Sequence, residues 1–404
     1  MQFSFKRLGP GLLFAGAAIG VSHLVQSTRA GADFGFGLVW ALLVINLFKY
    51  PFFLYGPQYA AATGETLLDG YRKLGKGILI FYFVLNLATM FTIQTAVTIV
   101  TAGIATTLFG NILSIEVWTI IILAICLILL LKGRYAFLDK LMKIIIITLT
   151  VSTLIAVVLA LNGNHQIHSF AQILPKGKLE IAFLIAFMGW MPAPLDISVW
   201  HSLWTLEKKQ QIDDYDFKAS RYDFNLGYLA TILIGLGFIA LGAFVMYGSG
   251  ESFSPQGGKF AEQLIDMYTA SLGSWSYIII GIAAFTTMFS TTLTTLDASP
   301  RAMSKAVEIL QNKTNKHSYL FWILLLTIGT IAIFFFLASE MGLLIKVATI
   351  LSFLTAPFFA IINYKLMSSK HVPAQFRPSK FMHVLSWLGI IFLCAFSIWY
   401  IMSM

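Results

Sequence analysis

The sequence predicts an all-α polytopic membrane protein of about eleven transmembrane helices. Three observations predict it. Of 404 residues, 58% are hydrophobic and only 11% charged, with a mean hydropathy of +0.81, a balance foreign to soluble domains. Apolar stretches of about 20 residues, the length that crosses a bilayer as a helix, recur along the chain. The first and sixth of these stretches are interrupted, and five spans separate equivalent positions, the mark of two inverted repeats with discontinuous helices at the midplane.

The first span covers 11–33. No small-residue cleavage site follows a short apolar core, so it reads as a span rather than a signal peptide. Its middle, GAAIGVSHLVQSTR over Gly16–Arg29, is poor material for a continuous helix. Gly16 and Gly20 loosen the backbone, and Ser22, His23, Gln26, Ser27 and Thr28 place polar groups where lipid would reject them. Such a stretch survives at membrane depth only when buried in protein or lining a cavity. Further spans follow at 36–59, 78–108, 116–132 and 141–162. The sixth, 180–204, contains Gly189 and the pair Pro192 and Pro194. Proline removes a donor and clashes with the preceding turn, so this helix breaks too, and a second half is expected to start near Pro194. The remaining spans are 224–248, 274–297, 319–338, 342–366 and 382–403. Short connections give one transmembrane domain over 1–404: repeat one at about 11–162, repeat two at about 180–366 and an extra helix at 382–403.

The net charge of +9 is a topology signal and not a nucleic-acid footprint. With the N-terminus in the cytoplasm, 21 of the 27 basic residues fall on inner segments, from Lys6 and Arg7 through Arg134 to Lys380, and only Lys176, Lys178 and Lys259 on outer ones. The positive-inside rule then places the C-terminus outside, in a cell (inner) membrane. Arg29, Lys49 and Lys346 remain within spans, and Asp196 is the carboxylate placed well inside one; Asp33 and Asp297 sit near span ends. Charges at such depth usually face the bundle interior. Cys126 and Cys394 have no metal-ligand spacing and read as small buried hydrophobes.

At this point the chain resembles the NRAMP (natural resistance-associated macrophage protein) family of divalent-metal transporters. RLGPGLLFAGAAIG and STRAGADFGFGLVW resemble the family's first span and its continuation. YAAATGETLLDG is similar to the end of its second span. Met191–Pro192 followed by His201–Ser202 resembles its sixth-span pattern at a longer spacing, and STTLTTLDASPRAM its Ser/Thr-rich eighth span. The resemblance implies a leucine-transporter-like 5+5 inverted repeat working by alternating access. It also marks departures. The family's Asp-Pro-Gly-Asn motif, whose Asp and Asn are metal ligands, aligns with Gly20, Val21, Ser22 and His23. Its third-span acidic pair aligns with a segment from Ala88 to Ile93 that holds no acid. The family's sixth-span methionine is kept as Met191.

These departures shape the expected site. Gly20, Ser22, His23, Met188, Trp190 and Met191 are the candidate substrate-binding residues, with Lys49 and Asp196 as charge partners. A hard divalent cation wants carboxylate oxygens, and the first break offers none. Helix halves starting near Ser22 and Pro194 would turn their positive ends to the cavity and favour an anion. A small inorganic anion, bicarbonate foremost, is therefore the expected substrate. The alternative is a divalent metal ion (Mn²⁺, Fe²⁺ or Mg²⁺) held by His23, Met191 and Asp196. Ser290, Thr291 and Thr294 are candidates for a coupling Na⁺, and no other cofactor is expected. An enzyme is not expected, because Ser22 and His23 are sequence neighbours and neighbours on a helix do not face each other; a partner such as His201 would have to lie beside Ser22.

Overall fold

A computed structural model describes residues 8–110, 112–132, 135–161, 169–212, 215–248, 253–254, 257–337 and 341–403. Lys6, Arg7 and Arg134 of the topology argument lie outside them. Among the described residues all regular structure is helical. The first span is α1 (Pro10–Ala18), a π-helical segment (Ser22–Ser27) and α2 (Thr28–Phe34). Next come α3 (Val39–Thr63), the short α4 (Leu67–Leu74), α5 (Lys76–Leu108), α6 (Ile115–Lys132) and α7 (Tyr135–Leu161). The sixth span is α8 (Lys178–Trp190) and α9 (Ile197–Gln211). The chain ends with α10 (Phe217–Val245), α11 (Gly257–Leu272), α12 (Ser276–Gln311), α13 (Ser318–Leu337), α14 (Met341–Met367) and α15 (Lys380–Ser403).

Every expected span falls on these helices, but the count of eleven is not reached. Among the described residues, eight helices are long and apolar enough to cross a bilayer, nine with the bent pair of the first span. The fifth expected span falls in α7, whose apolar part Lys143–Leu159 is shorter than a full crossing. The sixth is split into pieces of 13 and 15 residues, and neither alone spans about 30 Å of hydrocarbon. Local chemistry sets several ends. Thr66 and Asp69 form a capping box that starts α4. Asp216 caps α10 through the Ala219 N–H, so α10 starts seven residues before the expected 224.

The two broken spans are held in the bundle by glycine contacts. A Cβ at Gly11 would stand 2.1 Å from the Asp223 carbonyl oxygen, and one at Gly227 only 2.0 Å from the Gly11 oxygen. The other half of span one repeats this, with Gly31 against the Ile239 oxygen and Gly242 against the Thr28 oxygen, both at 2.1 Å. Both halves of span one thus lie backbone-to-backbone on α10. In the sixth span, a Cβ at Gly189 would meet the Thr349 oxygen of α14 at 2.2 Å, and Gly56 of α3 brings that helix against the Ser198 oxygen of α9 at 2.2 Å. Small residues let helices approach this closely where lipid supplies no hydrophobic drive. Span one on α10 and span six on α3 are counterparts in a 5+5 repeat.

Candidate functional site

The breaks meet at a small cavity. α1 stops at Ala18, and the halves of span one bend by 49°. The chain resumes as a π-turn, a helical distortion common at functional sites. Ser22 sits at its start. Its Oγ lies 2.6 Å from the Ala18 oxygen and 3.3 Å from the Pro192 oxygen, bridging the two breaks. It also lies 2.7 Å from His23 Nδ1. The expectation that these neighbours do not face each other assumed a regular helix; the π-turn brings them together. His23 Nε2 lies 3.0 Å from the Thr231 oxygen of α10. Nδ1 also lies 3.1 Å from the Ala18 oxygen, so both ring nitrogens face backbone carbonyls.

The cavity is about 30 Å³, bounded by Ala18, Ser22, Trp190, Ala193, Thr291 and Thr295 among others. Its polar side-chain groups are the hydroxyls of Ser22, Thr291 and Thr295 and the indoles of Trp190 and Trp200, and no carboxylate lines it. Of the expected substrate residues, Ser22 and Trp190 reach this cavity. Gly20 faces Thr291, whose Oγ1 would stand 2.7 Å from a Cβ there. Met188, Met191 and His23 are fully buried beside the cavity. The His23 and Met191 side chains converge on Gly235 of α10: a Cβ there would lie 3.5 Å from His23 Cδ2 and 3.6 Å from Met191 Sδ. Among the described residues no cluster of three or more His, Cys, Asp or Glu could hold a metal ion.

The break of the sixth span carries its own charges. Lys49 of α3 is fully buried. Its Nζ donates to the carbonyls of Met188 and Gly189 at 2.9 and 2.7 Å, and lies 3.2 Å from those of Met191 and Ala193. The ammonium therefore caps the carbonyl end of α8, where a cation is favoured. α9 does not start near Pro194. It starts at Ile197 with Asp196 at the N-cap position, so a carboxylate already meets its positive end. This corrects the field argument for an anion, because both helix ends of this break are internally compensated. Lys346, by contrast, is exposed, and Arg29 is half-buried near exposed Asp33.

The expected coupling-ion residues divide. Thr291 Oγ1 lies 3.1 and 3.2 Å from the Gly16 and Ile19 carbonyls of span one. Ser290 and Thr294 bond back to Thr287 and Ser290 of their own helix. His201 stacks on Phe14 at 5.6 Å, and its ring nitrogens have no hydrogen-bond partner among the described residues.

Asp223 escaped the sequence reading, because α10 starts earlier than its apolar run. Its carboxylate accepts from the N–H groups of Gly9 and Gly11 at 3.1 and 2.8 Å and from the Tyr215 hydroxyl at 2.9 Å. It therefore holds the positive end of α1 against α10. The Gly-Pro-Gly start of α1 is the signal that a distant acceptor is needed, since its own side chains cannot cap it. Asp223→Ala is expected to lower the melting midpoint in detergent and to raise labelling of a cysteine placed at Leu8, as α1 comes away from α10. Unchanged labelling would deny Asp223 this role.

Comparison with known proteins places the fold. A protein of Pasteurella multocida (strain Pm70), described as uncharacterized, is 36% identical over 403 residues, covering 98% of this chain and 92% of that protein. The Eremococcus coleocola manganese transporter, solved with an aromatic bis-isothiourea compound, superposes with a TM-score of 0.75 at 15% identity, over 96% of this chain and 84% of that one. MhsT with L-phenylalanine gives 0.64 at 14% identity, over 98% of both. At such identities these likenesses speak for the fold. The model of the family described as natural resistance-associated macrophage protein-like matches residues 11–403, so the chain belongs to the Nramp family and is an integral membrane transporter, not an enzyme.

Proposed function

We propose that this transporter carries a divalent transition-metal ion by alternating access, with the ion held at the meeting of the two breaks. The observation that carries this reading is the Ser22 hydroxyl, which bridges the two breaks at 3.3 Å from the Pro192 oxygen and meets His23 Nδ1 at 2.7 Å, with Met191 buried in the same break. The ring is held at both nitrogens, by the Thr231 oxygen at Nε2 and by Ser22 Oγ and the Ala18 oxygen at Nδ1, and an ion bound at either nitrogen leaves the other contact to orient the ring, the outer-shell arrangement of metal-bound histidines. Imidazole and thioether suit borderline and soft ions, so Fe²⁺ ranks before Mn²⁺ and Mg²⁺ last. Family membership and the likeness to a manganese transporter favour this reading over a bicarbonate-like anion. Lys49 and Asp196 offset one another at the sixth-span break, so neither leaves a free field there for an anion. The distribution of basic residues supports a cytoplasmic N-terminus.

Proteoliposomes carrying metal-sensitive and pH-sensitive dyes test this. Fe²⁺ uptake is expected, competed by Mn²⁺ and weakly by Mg²⁺. His23→Ala and Met191→Ala should each cut it by about tenfold or more, the effect of losing one ligand. Indifference to all three ions would remove the reading, and alkalinisation on adding bicarbonate without metal uptake would reinstate the anion.

A further inference from the structure

A second cavity lies behind Trp190, and the mechanism above does not use it. It is about 10 Å³, lined by Asn86 and Thr89 of α5, Asp196 at the start of α9, and Ser352 and Thr355 of α14. That is room for roughly one water-sized particle. Five side chains from three separate helices thus bring oxygen atoms to one small space. Asn86 is 2% exposed, and neither its Oδ1 nor its Nδ2 has a hydrogen-bond partner among the described residues. An amide left so deep without a partner is costly, and here it lines a space of ligand size.

We propose that this cavity is a monovalent-cation site of Na⁺ size, anchored by the Asp196 carboxylate and completed by Asn86 Oδ1 with the hydroxyls of Thr89, Ser352 and Thr355. The donor set selects the class. All its ligands are oxygens, which a hard cation wants, and a carboxylate whose charge is already partly offset by Lys49 suits a single charge better than a divalent ion. The hydroxyls give their protons away and keep their lone pairs. Thr89 donates to the Leu85 oxygen at 2.9 Å, Ser352 to Ala348 at 2.7 Å and Thr355 to Leu351 at 3.0 Å. The Asp196 charge is shared with Lys49, whose ammonium is anchored on carbonyls of the sixth-span break.

The cavity is also wired to the central one. Ile93 lines both. Trp190, a wall of the central cavity, donates Nε1–H to Ser352 Oγ at 2.9 Å. A cation drawing on Ser352 therefore bears on the wall against which the substrate rests. The expected Na⁺ position on α12 differs, because there the Thr291 hydroxyl itself occupies the Gly16 and Ile19 carbonyls.

The test is thermal unfolding of the purified full-length protein in detergent, titrated with NaCl against choline chloride at constant ionic strength. It is read without any transported substrate, so its outcome stands apart from the metal reading above. Na⁺ is expected to raise the midpoint saturably and choline not to. Asn86→Ala and Thr355→Val should raise the half-saturating Na⁺ by about tenfold, the cost of one lost ligand. Asn86→Asp should lower it by adding charge, which keeps the test open if the alanine variant folds poorly. Thr291→Ala should leave it unchanged. Identical Na⁺ and choline curves in the wild type would mean that the cavity holds only water. A response lost in Thr291→Ala and kept in Asn86→Ala would place the cation on α12. Either result overturns the proposal.

Discussion

Lys49→Met is expected to destabilise the protein by about 3–5 kcal/mol, the range for removing one partner from a buried charged contact, and to abolish transport. Methionine keeps an unbranched apolar stem and removes the ammonium donors. The carbonyls of Met188 and Gly189 then lose their partner, and those of Met191 and Ala193 lose the nearby charge, all where water does not reach. Each unsatisfied buried group costs about 1–3 kcal/mol. The Asp196 carboxylate also loses its nearest compensating cation. Lys49→Arg is not expected to rescue the defect, because a planar guanidinium directs its protons in a fork while these carbonyls converge on one point. The check is the melting midpoint in detergent together with metal uptake in liposomes. An unchanged midpoint would show that the carbonyl end of α8 needs no ammonium.

Gly227→Val is expected to stop transport while leaving the protein inserted and monodisperse. Its Cβ would fall 2.0 Å from the Gly11 oxygen and 2.7 Å from the Gly11 carbonyl carbon. Both are backbone atoms, so no rotamer change relieves the clash, and α1 must move off α10. Overpacking of this kind costs about 1–3 kcal/mol. The functional loss is expected to exceed the stability loss. Displacing α1 also pulls Gly9 and Gly11 from Asp223 and shifts Ala18, the carbonyl on which Ser22 and the cavity wall depend. Size-exclusion chromatography, melting and uptake measured on one preparation separate the effects. Wild-type uptake in this variant would mean that α1 and α10 are not held in contact during the cycle. Gly242→Val probes the second half of span one against the Thr28 oxygen and should behave alike.

The two breaks were legible because their causes are local. Glycine and polar residues inside an apolar run weaken a helix wherever it packs, and Pro192 and Pro194 interrupt one by covalent structure alone. Family resemblance was legible through short motifs around the same breaks. Three features near the site were not. Ser22 and His23 were read on a regular helix, and the π-turn that joins them depends on how span one settles against α10. The start of α9 was placed near Pro194, but the helix forms only at Ile197, leaving Asp196 at its N-cap position. Asp223 was hidden because its helix extends past the apolar run that marks the span.

The sequence by itself determined that this chain is a helical membrane protein broken twice at equivalent depths, because bilayer thickness, backbone hydrogen bonding and proline sterics act on any chain of this composition. Only the tertiary structure decided what each polar residue does at those breaks. Lys49 and the carbonyls of α8 are about 140 residues apart in sequence, Asp223 and the start of α1 more than 200, and Asn86 meets Asp196 only in the packed bundle. A buried charge or amide takes whichever partner the packing brings within reach, and that choice is a property of three-dimensional contact rather than of spacing along the chain.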